Sequence, residues 1–135
     1  MPDLQPVYDE LCRRLSVHED AFLLSDNPTD ANSPASRKVV APSPETYVLL
    51  AGPTDRYPDG QLFASVKLGK RYVSYYLMSM YLDPASPALS DELTRRRQGK
   101  SCFNFTTIDH GLFDELAVLT SAGREFYGAQ GLLRR

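Results

Sequence analysis

Apolar residues near the start of the chain fall at Leu4, Tyr8, Leu11 and Leu15, with Val7 and Cys12 beside them. That spacing lays one apolar stripe along a helix from about Leu4 to His18. Asp9–Arg13 and Glu10–Arg14 are i,i+4 pairs with the acid first, the favourable order on a helix surface. The run Ala21-Phe22-Leu23-Leu24 predicts a short strand. Residues 26–46 then change character. Asn27-Pro28, Ser33-Pro34 and Pro42-Ser43-Pro44 mark a long loop, with a brief strand at Arg37-Lys38-Val39-Val40-Ala41 inside it.

Tyr47-Val48-Leu49-Leu50-Ala51 reads as a buried strand stopped by Gly52-Pro53, and Tyr57-Pro58-Asp59-Gly60 as a turn. Gln61 to Leu68 and Arg71 to Tyr81 predict two strands joined by Gly69-Lys70, where glycine in first place suits a type II′ turn. Ser86-Pro87, or alternatively Ser90, caps a helix that runs through Leu93 to Gln98 and stops at Gly99. Ser101 to Thr107 is the last strand. Asp109 caps a helix carrying Leu112, Phe113, Leu116 and Leu119. Thr120 or Ser121 caps a final helix with Phe126 and Tyr127, ending near Gly128 or Gly131.

The hairpin sorts side chains between the two faces of the sheet. With a Gly69-Lys70 turn, Leu68 opposes Arg71, Val66 opposes Val73, Ala64 opposes Tyr75 and Leu62 opposes Leu77. Alternation then gathers Leu62, Ala64, Val66, Leu68, Val73, Tyr75 and Leu77 on one face, which is expected to lie under the helices. The other face mixes polar groups with aromatics and thioethers: Gln61, Phe63, Ser65, Lys67, Tyr72, Ser74, Tyr76, Met78 and Met80. Phe103 and Phe105 extend the apolar face, leaving Cys102, Asn104 and Thr106 on the mixed one. Tyrosine offers apolar area with a polar handle and methionine repacks readily, so the mixed face is the candidate binding surface. Its residues are Phe63, Tyr72, Ser74, Tyr76, Met78, Cys102 and Asn104. Coverage of this face by the long loop or by a second subunit is the competing reading.

The architecture expected is α+β: one domain over residues 1–135, with an antiparallel sheet of about five strands and helices packed on one face. Its 135 residues suffice for a core without staples, and 42% apolar with 24% charged residues is ordinary globular composition. No apolar run approaches a membrane span, and the first residues do not read as a signal peptide. Cys12 and Cys102 form no CxxC and are expected as free thiols of a reducing, cytoplasmic compartment.

Charge is unevenly spread. Residues 1–66 carry ten acids against five bases, and residues 67–100 carry seven bases against three acids. The overall charge of −2 gives no general footprint for nucleic acid, while the central excess allows a small anion site. Arg95, Arg96 and Lys100, in the densest basic run, are the candidate anion ligands, although bases in a helix's last turn also complement its dipole. Glycine-rich phosphate loops, GxSxG and HExxH are absent. His18 at a helix end is expected as a dipole contact when protonated. His110 and Asp114, four apart, could share an ion. Lys100, close in sequence, could lower the Cys102 pKa and make it reactive, and an enzyme site around Cys102, Lys100 and Tyr72 is the third and last-ranked reading. No pattern specifically supports catalysis.

The stretch Val66-Lys67-Leu68-Gly69-Lys70-Arg71-Tyr72-Val73-Ser74-Tyr75-Tyr76-Leu77-Met78 resembles the YdhG-like family of domains of unknown function. Gly99-Lys100-Ser101-Cys102-Phe103-Asn104-Phe105, Ile108-Asp109 and Leu112-Phe113 resemble the same family's second signature. The resemblance covers roughly residues 61–128. It implies an antiparallel sheet with helices on one side. The family is also similar to frataxins, and an iron-delivery role is suggested for part of it. Frataxins bind iron through an acidic ridge on the first helix and first strand. The matching positions are Asp3, Asp9, Glu10, Glu19, Asp20 and Asp26, interrupted by Arg13 and Arg14. Two functions are therefore expected as rivals. One is a non-enzymatic binding module, engaging a protein partner or a second copy through the mixed face. The other is an iron-binding chaperone using Asp9, Glu10, Glu19 and Asp20.

Overall fold

Pro6 opens the first helix in a position where its missing N–H leaves no bond unmade, and α1 (Gln5–Ser16) buries Val7, Tyr8, Leu11 and Leu15. The structure is a computed structural model and describes residues 4–25, 46–51, 62–83, 88–99 and 101–131. The expected strand at 37–41, the turn at 57–60, the Ser86-Pro87 cap and Lys100 lie outside those residues.

Along the chain follow β1 (Leu23–Ser25), β2 (Thr46–Leu50), β3 (Leu62–Leu68), β4 (Val73–Leu77), α2 (Ser79–Leu82), α3 (Asp91–Arg96), β5 (Arg97–Gln98), β6 (Cys102–Phe105) and α4 (His110–Ala129). The sheet runs β1-β2-β3-β4-β6-β5, antiparallel at every pairing. The architecture is thus the expected α+β, with five strands of three residues or more and a two-residue edge strand. No helix among the described residues is long and apolar enough to cross a membrane.

The main core lies between the sheet and α1 and α4, where Val66, Val73, Tyr75, Leu77, Phe103 and Phe105 meet Leu11, Leu15, Leu112, Phe113 and Leu116. All six sheet residues were assigned to one face by alternation. Two buried hydroxyls tie α4 down. Tyr127 donates to the Leu62 carbonyl at 2.7 Å, and Tyr75 and Thr120 share a hydrogen bond of 2.6 Å. Ser90 caps α3 through the Leu93 N–H and donates to Glu115 of α4, so cap and docking share one residue. Asp109 caps α4 through the Leu112 N–H, as expected.

Besides the strand expected from Arg71 to Tyr81, which ends at Leu77 and gives way to α2, four expectations fail for identifiable reasons. The hairpin turn lies one residue later. Leu68 pairs with Val73 and Ala64 with Leu77, and the Gly69 N–H donates to the Tyr72 carbonyl at 3.0 Å across Lys70-Arg71. Neither Lys70 nor Arg71 has positive φ, nor does Gly69, so the turn is not type II′. Glycine is needed at 69 because a Cβ there would stand 2.8 Å from the Tyr72 carbonyl oxygen. Each pairing moves by two residues, which preserves parity and leaves the faces of β4 unchanged.

The second failure is at Phe63. Leu49 pairs with Ala64 but Leu50 pairs with Leu62, so Phe63 is the extra residue of a bulge. The bulge turns Phe63 into the main core, fully buried and stacked on Phe22 at 3.8 Å, with Tyr127 edge-on. Leu62 swings to the opposite face. Third, Arg97 is extended rather than helical, so α3 ends at Arg96 and residues 97–98 pair with β6. Gly99, at φ +70°, begins the turn between them. Fourth, α4 is one helix of 20 residues rather than two. Thr120 does not cap a new helix, because its hydroxyl is buried, donating to the Leu116 carbonyl and meeting Tyr75.

Candidate functional site

On the sheet face away from α1 and α4, successive rows change character along the strands. The row nearest the β3–β4 turn is Lys67, Ser74 and Asn104, paired across β3, β4 and β6. The next is Ser65, Tyr76 and Cys102. At the far end Val48, Leu50, Leu62 and Met78 form a second, smaller buried cluster, with Tyr76 and Leu82 packed against it. The expected mixed face is therefore graded: polar and cationic at the turn, apolar and closed at the other end.

That gradient divides the predicted site residues. Tyr72, Ser74, Cys102 and Asn104 come together at the polar end, and Tyr72 is 37% exposed. Tyr76 is half-buried at the boundary. Met78 belongs to the closed cluster, since at 9% exposure it has little surface to offer. Phe63 is on the other side of the sheet. Met80 sits in α2 and packs against the main core.

Side-chain amides and hydroxyls form a ladder across the polar rows. Ser74 Oγ donates to Asn104 Oδ1 at 2.8 Å, Cys102 Sγ approaches the same oxygen at 3.7 Å, and Asn104 Nδ2 donates to Gln98 Oε1 at 2.8 Å. Burial pushes the Cys102 thiol up, so the cysteine stays protonated and is a weak partner in the ladder rather than a nucleophile. Cys12 is likewise pushed up to about 11 by burial, and the two cysteines are not bridged.

Beside the ladder lies an open cleft of about 340 Å³, lined by Lys67, Gly69, Lys70, Arg71, Tyr72 and Ser74. Three of its six residues are cations. Among the described residues no carboxylate stands within ion-pair distance of Lys67, Lys70 or Arg71. The bare side of Gly69, required by the turn, adds no side chain to the cleft. The cleft falls within the central basic excess, but its cations are not the ones singled out as anion ligands. Arg95 and Arg96 lie exposed in the last turn of α3, where they complement the helix dipole, and they do not line the cleft.

The carboxylates considered as metal ligands are not gathered. Glu10 receives Arg13 Nη2 at 2.6 Å and Arg14 Nε at 2.7 Å, and these guanidinium contacts hold it down at about 2. Asp9 takes Gln5 rather than Arg13, at 2.8 Å. Glu19 accepts the Tyr47 hydroxyl. Asp20 is bound by both terminal nitrogens of Arg124, at 3.0 and 2.8 Å. No group of three or more metal-binding side chains occurs among the described residues.

The histidines also differ from expectation. His18 is buried, edge-on to Phe63 and 3.4 Å from Arg124 Nη1. Burial and then the Arg124 charge lower its pKa, so it is a neutral core residue rather than a charged helix terminus. His110 and Asp114 do share a cation, but it is the guanidinium of Arg14, at 3.3 and 2.6 Å. Comparison with family models, with curated proteins and with solved structures finds no match.

Proposed function

We propose that this domain is a binding module and that its recognition surface is the polar end of the sheet face around the β3–β4 turn. The observation that carries the reading is the clustering there of polar and cationic groups. An exposed tyrosine, three cations without acidic partners among the described residues, and a side-chain amide ladder surround one cleft. Cations gathered at 67, 70 and 71 repel one another and meet no acid among the described residues, so a complementary ligand is their simplest compensation. Tyr72 supplies area and a hydroxyl at little conformational cost. An iron-binding role would draw Glu10 and Asp20 out of their arginine pairs, whereas the sheet face asks for no rearrangement.

The test is an NMR screen of the intact chain against a mixed library of small polar and aromatic fragments. Binders are expected to perturb the amides of Lys67, Tyr72, Ser74 and Asn104, and Tyr72→Ala is expected to weaken them without lowering the melting temperature. Binders that cluster on α1 and α4 instead would overturn the reading.

A further inference from the structure

We infer that the cleft at the β3–β4 turn takes a small phosphate monoester, with the phosphate among Lys67, Lys70 and Arg71 and the organic part over Tyr72 toward the amide ladder. The inference rests on the binding-module reading and adds the chemical class of the ligand.

Charge and geometry select the phosphate. A phosphate monoester carries about −1.5 to −2 at neutral pH and three acceptor oxygens. The cleft offers two ammonium groups and one guanidinium, a donor set that can meet all three oxygens. Arg71 can bind two of them side by side through its planar fork, and the lysines act as adjustable point charges. The turn holds Lys70 and Arg71 at adjacent positions, while Lys67 approaches from β3, so the donors come from two sides of one opening.

Size and overall charge argue for a small ester rather than a polyanion. The cleft, about 340 Å³, lies at the lower end of small-molecule sites. The chain as a whole is acidic, with a net charge of −2 and a pI near 5.6, so its overall charge does not favour a long nucleic acid. The neighbouring groups suit a hydroxylated organic part. Ser74 has spent its proton on Asn104 and retains acceptor lone pairs, and Asn104 has used one Nδ2 hydrogen on Gln98 and retains the other. A sugar phosphate and a nucleoside monophosphate share this chemistry. A base able to stack on the Tyr72 ring would distinguish them.

The experiment is an NMR titration of the intact chain with ribose 5-phosphate, adenosine monophosphate, adenosine and inorganic phosphate. Both esters are expected to shift residues 67–74 saturably, and adenosine at least about tenfold more weakly, reflecting the lost charge-assisted bonds. Tighter binding of adenosine monophosphate than of ribose 5-phosphate assigns the organic part to a nucleoside, and the reverse order assigns it to a sugar. Lys67→Ala and Arg71→Ala are each expected to weaken the esters about tenfold with unchanged spectral dispersion. Ester-induced shifts centred on Arg95 and Arg96, or equal binding of adenosine, would overturn the assignment. So would binding of an oligonucleotide by a chain that ignores both esters. If the esters fail while phosphate-free fragments still perturb Tyr72 and Asn104, the phosphate assignment falls and the binding surface stands. If neither class perturbs that surface, both fall.

Discussion

Along the seam between α1 and α4, every arginine meets an acid, whereas at the β3–β4 turn three cations stand together without one among the described residues. Arg14 bridges Glu10 of its own helix to Asp114 of α4, touches His110 and lies 5.7 Å over the Phe113 ring. Arg124 reaches from α4 to Asp20 and His18. These charges fasten the first helix and the segment after it to the last helix, across about a hundred residues of chain. At the turn, Lys67, Lys70 and Arg71 form no ion pair among the described residues. The difference separates charge paired across the fold from charge that meets no acid among the described residues.

Substitutions should respect that division. The largest effect is expected from Phe63→Ala, which empties a stacked and fully buried site on the helix side and should cost about 3–5 kcal/mol in chemical denaturation. Tyr72→Ala on the opposite face should stay within about 0.5 kcal/mol. An equal loss for the two would erase the distinction between the faces.

Next comes acid. Glu10 is held at about 2 against an ordinary 4.5 by Arg13 and Arg14, and Asp20 is lowered by Arg124. As pH falls, the unfolded chain takes these protons first. The stability they contribute is present above the unfolded carboxylate range and is lost as pH drops toward the folded values. His18 acts in the same direction from higher pH. Its folded pKa lies below 6.5, so the unfolded chain protonates first and stability begins to fall below that value. Denaturation midpoints measured from neutral pH down to about 3 should decline in both steps, and Arg124→Gln should flatten the decline.

Arg14→Ala should cost about 1 kcal/mol, since its partners are partly exposed but several. The smallest effect is expected at the turn. Lys67, Lys70 and Arg71 changed together to Ala should leave stability within about 0.5 kcal/mol, or raise it by removing mutual repulsion. A large loss there would mean that these cations hold the fold after all.

Much of this molecule was legible beforehand wherever the governing interaction is local or depends on parity. Ser90 and Asp109 announce their helices because a cap needs only an N–H three residues on. Val66, Val73, Tyr75, Leu77, Phe103 and Phe105 declared their face through period-two alternation, and a two-residue error in register could not disturb it. Tyr72, Ser74, Cys102 and Asn104 were likewise placed on one face correctly. The cleft was only half legible. The central basic excess was visible, but its densest run lies on a helix end, while the residues lining the opening are spaced along a hairpin whose turn had to be located first.

Short segments of the sequence therefore fix most of the longer elements, the Ser90 and Asp109 caps and the sidedness of the central strands, all properties that a segment carries within itself. The bulge that turns Phe63 inward, the continuity of α4 through Thr120, and the commitment of Arg14 and Arg124 to acids far along the chain belong to the assembled fold. Each of these depends on a partner from another part of the chain. A bulge exists only against the opposing strand, a buried hydroxyl chooses between capping and bonding only when Tyr75 arrives, and a guanidinium is paired or left for a ligand according to which acids the fold brings within reach.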